Sequence, residues 1–186
     1  MTDFRVVDSA TRCDAGFLTV VDLQVEAPDG QTLSRIAVRH PGAVVVVPVV
    51  GDDVILERQF RAAVGKSLLE VPAGKRDVDG EAPEATATRE LEEEIGQTPG
   101  RLRKLCEFYN SPGFSDEYTY LYCATELEEL PERRGVTDEE EAMSLERVRL
   151  DATAELIASG ELVDAKSIIG LLLTQQLLER DRAGAT

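Results

Sequence analysis

The chain has 186 residues, 42% of them hydrophobic, which suits one folded domain with a substantial core. Its formal charge of −16 argues against nucleic acid or an anionic membrane surface as partner, because both need a positive footprint. One histidine, His40, and three widely spaced cysteines, Cys13, Cys106 and Cys123, offer little for a histidine zinc site, a Ser-His-Asp triad or a disulfide framework.

Residues 4–24 and 32–39 alternate apolar and polar side chains. Thr19–Val25 and Ser34–Arg39 are expected to be strands joined by the Pro28-Asp29-Gly30 turn. This piece has few bulky apolar residues, so it is expected to pair with the main sheet or with a second subunit. Ala43–Val49 and Val54–Gln59 predict a hairpin around Gly51-Asp52-Asp53, with a wholly apolar and therefore buried first strand. The longest apolar run, Ala43–Val50, is too short to span a bilayer and contains Pro48. With no N-terminal signal pattern, a soluble cytoplasmic protein is expected.

Ser67–Val71 reads as a strand ending in Pro72-Ala73-Gly74. A helix follows from about Pro83 to Ile95, with proline in its first turn and Gly96 as its stop. Leu102–Tyr109, Tyr118–Ala124 and Leu145–Leu150 predict further strands, while Glu126–Glu132 and Thr137–Glu141 read as acidic loops. Asp151–Ser159, ended by Gly160, and Ala165–Arg182 complete the chain as helices. In the second, Ile168, Leu171, Leu172 and Leu178 recur near helical spacing, leaving Gln175, Glu179 and Arg182 for the wet side. The sum is a mixed sheet flanked by helices, an α/β or α+β sandwich, preceded by an antiparallel β segment. The expected division is an N-terminal β segment over 1–40 and the main domain over 41–186.

The most constraining stretch is Gly74-x6-Glu81-x7-Arg89-Glu90-Leu91-x-Glu93-Glu94-x-Gly96. Glu90, Glu93 and Glu94 stand at i, i+3 and i+4 and share a helix face, whereas Leu91 and Ile95 fall on an adjacent face that can pack inward. Like charges at that spacing destabilise a bare helix, so the crowding points to bound cations. Arg89, four residues before Glu93, can steady one carboxylate. An acidic chain acting on an anionic substrate needs local positive charge, which arginines and cations supply.

This frame resembles the signature of the Nudix hydrolases, Gly-x5-Glu-x7-Arg-Glu-U-x-Glu-Glu-x-Gly-U with U aliphatic. It departs by one extra residue before Glu81 and by Gln97 at the last position, and neither departure touches a ligand position. Pro112, sixteen positions after Gly96 within Ser111-Pro112-Gly113, resembles the ADP-ribose pyrophosphatase branch. So do Glu57-Arg58-Gln59-Phe60-Arg61, Leu69-Glu70-Val71-Pro72-Ala73-Gly74 and Asp164-Ala165-Lys166-Ser167. The resemblance covers most of residues 39–180 and implies an α-β-α sandwich with a mixed sheet.

Carried over position by position, it implies that Glu90 and Glu94 bind metal through carboxylates and Ala73 through its carbonyl, with Glu93 as a further candidate. In the acidic loop Glu139 aligns with a catalytic base and Glu141 with a metal contact, although three consecutive glutamates leave that register open by one residue. Arg39 and Arg61 are candidates for phosphate contact, since an arginine fork suits phosphate oxygens. Glu117 resembles a position that holds ribose hydroxyls, and Ser111, Pro112 and Gly113 line the same pocket. Phe4, Phe17, Phe60 and Phe114 are available to stack on adenine, though core packing is expected for most of them.

The implied activity is metal-dependent hydrolysis of ADP-ribose, or a related nucleoside diphosphate sugar, to AMP and ribose 5-phosphate. Two or three Mg²⁺ ions, with Mn²⁺ as a substitute, suit an all-oxygen ligand set. Alternatives are a GDP-sugar or dinucleoside polyphosphate as substrate, or a non-catalytic ADP-ribose sensor; the intact set of acids disfavours the last. A homodimer built through the N-terminal strands is also expected.

Overall fold

A computed structural model describes residues 3–131 and 143–184. The chain forms two compact units. One comprises residues 1–42 and 108–119, and the other residues 43–107 and 120–186.

The first unit is built on a three-stranded antiparallel sheet of β1 (Arg5–Ala15), β2 (Leu18–Glu26) and β3 (Thr32–Arg39), in that order. Gly16 takes a left-handed φ of 73° between β1 and β2, and the Pro28–Gly30 turn joins β2 to β3 as its sequence predicts. Arg5 pairs with Glu26 and Arg12 with Asp22 across the strands. The sheet has almost no interior. Every residue of β1 is exposed, and only Val21 and Leu23 of β2 are buried. Residues 110–117 return to β3: the Val38 N–H donates to the Phe114 carbonyl at 2.7 Å, and the Asp116 N–H to the Val38 carbonyl at 3.2 Å.

The second unit is organised around a seven-stranded mixed sheet. Its order is β10 (Ser144–Arg149), β5 (Asp53–Arg61), β4 (Ala43–Val50), β9 (Tyr118–Glu129) and β8 (Gln97–Tyr109). β4 and β5 pair only near their turn, at Val49 with Val54 and Val50 with Asp53. Beyond it they part. β5 takes β6 (Lys66–Glu70) as its neighbour, and β4 takes the short β7 (Ala73–Lys75). The Val46 N–H, donating to the Pro72 carbonyl at 2.9 Å, holds the chain where it crosses from β6 to β7. This fork delivers Ala73 and Gly74 to the sheet face on which the first helix lies.

β4 is buried along Ala43–Val49, as its unbroken apolar run predicts. Side chains alternate across a sheet, so its two faces serve different helices. Val44 and Val46 pack with Ala87, Leu91, Ile95, Tyr122 and Ala124, which sets α1 (Pro83–Glu90) on one side. Val47 and Leu121 meet α3 (Ala165–Gly184) on the other, and α2 (Thr153–Ser159) precedes α3 behind a 3₁₀ turn. The α-β-α layering anticipated from the sequence is present. No described helix is long and apolar enough to cross a membrane.

Three details depart from the sequence reading. The helix expected over 83–95 is α-helical only to Glu90; Leu91–Ile95 is a π-helical turn closed by the Gly96 N–H on the Leu91 carbonyl. Glu126–Glu129, read as loop because of its charge, continues β9; its kink is Glu126 at φ 57°, whose carbonyl lies against Gly100. In α3 the buried stripe is Ser167, Gly170, Leu171 and Thr174, while Leu172 is exposed. Small residues face inward because helix and sheet approach closely. A Cβ on Gly170 would stand 2.8 Å from a methyl of Val47.

Candidate active site

The motif glycine and its glutamates meet in the second unit. β7 carries Gly74 directly beneath α1, and a Cβ at that position would lie 1.8 Å from Glu90 Cδ. Only a residue without a side chain leaves room for the carboxylate. One residue earlier, the Ala73 N–H donates to Glu94 Oε2 at 3.0 Å. Ala73, Glu90 and Glu94 are therefore brought together, with both carboxylates buried.

Arg89 ties the motif acids to one another. Its Nη1 lies 2.8 Å from Glu90 Oε1 and 3.0 Å from Glu93 Oε2, and its Nε donates to Glu81 Oε1 at 3.4 Å. The Arg89–Glu93 pairing was expected from the i, i+4 spacing; the other two were not. Glu81 also accepts from the Thr86 hydroxyl at 2.7 Å. That bond first, and Arg89 second, hold its carboxyl below the usual range. Glu81 thus braces the loop that enters α1.

Burial pushes the Glu90 carboxyl up to about 7; Arg89 pulls it down and the neighbouring charge of Glu93 raises it further. A carboxylate this deeply buried, which Arg89 offsets only in part, is one that a cation would relieve. The donor set is consistent with a hard divalent ion, namely two buried carboxylates beside a strand-end peptide. Among the described residues no three acidic, thiol or imidazole side chains converge into a complete cluster. Glu139 and Glu141 lie outside the described residues.

Arg61, at the end of β5, is held by Glu70 through two parallel bonds, Nε to Oε1 at 2.8 Å and Nη2 to Oε2 at 2.9 Å. The Glu70 hydrogen bonds, ahead of other charges, raise its guanidinium pKa above the ordinary value. The remaining predicted residues belong to the first unit. Ser111-Pro112-Gly113 forms a tight turn whose Ser111 carbonyl accepts the N–H groups of Phe114 and Ser115 at 3.1 and 2.9 Å. Pro112 and Gly113 are exposed, and the Glu117 N–H is fixed on Ser115 Oγ at 3.2 Å. Arg39 donates to Asp116 Oδ2 at 2.9 Å, while Asp116 Oδ1 accepts the His40 N–H at 2.9 Å. Asp116 was missed in the sequence, where it is one acid among 36 Asp and Glu residues; only its neighbour Glu117 drew notice. The phenylalanines contradict their expected core role. Phe4, Phe17, Phe60 and Phe114 are all exposed: three of them sit in the thin first unit, and Phe60 stands near the exposed end of β5.

The model described as NUDIX domain matches residues 39–168. An ADP-ribose pyrophosphatase of Bacillus subtilis is 42% identical over 160 residues, covering 84% of this chain and 85% of that protein. An ADP-ribose pyrophosphatase of Mycobacterium tuberculosis is 35% identical over 173 residues, covering 91% and 82% respectively. Among solved structures, one described as a crystal structure of ADP compounds hydrolase superposes with a TM-score of 0.82 over 97% of each chain. Its sequence identity is 23%, so the likeness is one of fold.

Proposed function

The chain belongs to the Nudix family, and from that membership we propose that it hydrolyses the diphosphate bond of ADP-ribose or a close nucleoside diphosphate sugar. Water adds across the bond, giving AMP and ribose 5-phosphate. One observation carries the reading. The box glycine, Ala73 and two buried box glutamates form one assembly in a chain whose similar relatives bear the name ADP-ribose pyrophosphatase.

Nudix hydrolases generally use divalent metal. Here Mg²⁺ is the proposed ion, two or three per site, held by Glu90, Glu94, the Ala73 carbonyl and Glu141, with Mn²⁺ as a substitute. Bound, it supplies a water of lowered pKa and neutralises charge on the leaving phosphate. The protein's own groups do the rest. Gly74 clears the space for Glu90, and the Ala73 N–H fixes Glu94. Arg89 keeps Glu93 close to the pair, where it assists proton movement. Glu139 is assigned as base, a role that requires hydrogen-bond reach of the attacking water. Arg39 and Arg61 receive phosphate oxygens, Glu117 accepts ribose hydroxyl donors, and the Ser111-Pro112-Gly113 turn lines the nucleoside side.

The N-terminal segment 1–40 is assigned to homodimer formation. Supporting this, Phe4 beside the sheet and Val6, Val7 and Ile36 within it are large apolar side chains left exposed, which a second subunit would cover. A cytoplasmic location is consistent with three unpaired cysteines.

The test is incubation with ADP-ribose and Mg²⁺, following phosphate released after coupling to a phosphatase that acts on the monoester products. Turnover should be clear and should outpace a GDP-sugar and a dinucleoside polyphosphate. No turnover across the whole panel refutes the assignment.

A further inference from the structure

We propose that Lys166, on the first turn of α3, is a positioning residue for Arg61. The inference rests on the reading above, in which Arg61 meets substrate phosphate.

A chain of charged contacts leads from the helix to the arginine. Asp164 pairs with Lys166 Nζ at 2.6 Å, Lys166 Nζ stands 3.5 Å from Glu70 Oε2, and both Glu70 oxygens grip Arg61. Glu70 is 1% exposed, so its charge is almost wholly removed from water. Directly across the strand pair, in register with Glu70, lies Glu57, also fully buried, whose charge acts on Arg61 as well. Two carboxylates side by side in a low-dielectric interior repel, and each draws on nearby cations. Lys166 supplies positive charge on the Glu70 side. Arg61 then keeps its planar two-point grip, with Nη1 carrying no hydrogen bond among the described residues and the side chain 35% exposed. That is the geometry of a fork clamped from behind and presented forward.

The same turn fixes the backbone. Ser167 Oγ donates to Asp164 Oδ2 at 2.6 Å and accepts the Val71 N–H at 2.9 Å. Val71 follows Glu70 and precedes Ala73 by two residues, so one helix end holds the strand through both side chain and main chain. Lys166 is itself mostly covered, with a side chain 19% exposed, which distinguishes it from a solvated surface lysine.

The test compares the full chain with Lys166→Met, which keeps length and loses charge. In ¹⁵N-labelled protein the Arg61 Nε–H resonance, assigned by its disappearance in Arg61→Lys, should exchange with solvent about tenfold faster in Lys166→Met, while the amides of α1 stay unchanged. With Mg²⁺ and ADP-ribose, KM should rise about tenfold and kcat should stay within about threefold, the pattern of lost uniform binding. Lys166→Arg should restore both, and in an Arg61→Ala background Lys166→Met should leave KM unaltered. Unchanged Nε–H exchange, or a KM effect that persists without Arg61, overturns the proposal. Should Lys166→Met not fold, Lys166→Gln carries the same comparison. Absence of ADP-ribose turnover in the unmutated chain would remove the functional reading, and the exchange rate would then decide the positioning by itself.

Discussion

At position 74 a hydrogen atom stands where any other residue has a carbon, and the Glu90 carboxylate occupies the space. Gly74→Ala should therefore push Glu90 aside while the fold persists. Displacements near 1 Å cost on the order of 100-fold in rate, so steady-state kinetics on ADP-ribose should show at least about that loss. Glu94→Gln makes the complementary case. A glutamine oxygen still accepts from the Ala73 N–H, so thermal melting should change little, whereas loss of the charge should lower kcat by about 100-fold or more. Near-full activity in Glu94→Gln would unseat it as a ligand. The motif was legible because its spacing is rigid; the partners of its members were not. Nothing in the order of residues says that Arg89 reaches Glu81 and Glu90 as well as Glu93, or that Asp116 holds Arg39. Those contacts arise from folding over distances that a linear pattern does not encode.

The elements were readable where an apolar run is unbroken, as in β4, and misread where charge disguises a strand. Glu126–Glu129 is acidic yet paired, because backbone hydrogen bonds with the neighbouring strand make no demand on exposed side chains. The π turn was invisible for a related reason. Both windings bury Leu91 and Ile95, and only the close of the turn at Gly96 distinguishes them. At the other helix, Asp164 caps α3 by accepting the Ser167 N–H at 2.9 Å. Burial raises its carboxyl, but Lys166 and the Ser167 donors outweigh that, leaving it below the usual range. Its folded value is thus depressed relative to the unfolded chain. The contribution to stability is complete above about pH 4, the unfolded value, and disappears as pH falls through the folded one. Urea unfolding of Asp164→Ala at pH 7 should show a loss of about 1–2 kcal/mol, and the gap from the parent should narrow below pH 4. A gap that stayed constant into acid would show that the carboxylate charge contributes nothing.

For the molecule as a whole, a charge of −16 sets the terms under which an anionic nucleotide can approach. On the proposed reading local cations reverse that field, which would give a divalent metal and Arg39 and Arg61 a shared task. Sedimentation at micromolar concentration should return twice the 20.3 kDa chain mass, since a three-stranded sheet with two buried residues has little to sustain it alone. A persistent monomer would remove the dimer. The thinness of this sheet was evident from its composition, but its second chain piece was not: residues 108–119 join it from the far side of the sequence. There lies a consequence for anyone trimming the protein. Starting the chain at Ala43 would spare every motif glutamate, yet it would strip away Val38, on which Phe114 and Asp116 lean, together with Arg39 and His40. A fragment cut there would keep Glu90 and Glu94 gathered at Ala73 and Gly74 and lose the strand that anchors residues 114–116, so on the proposed reading any loss should fall on nucleotide choice before ion binding.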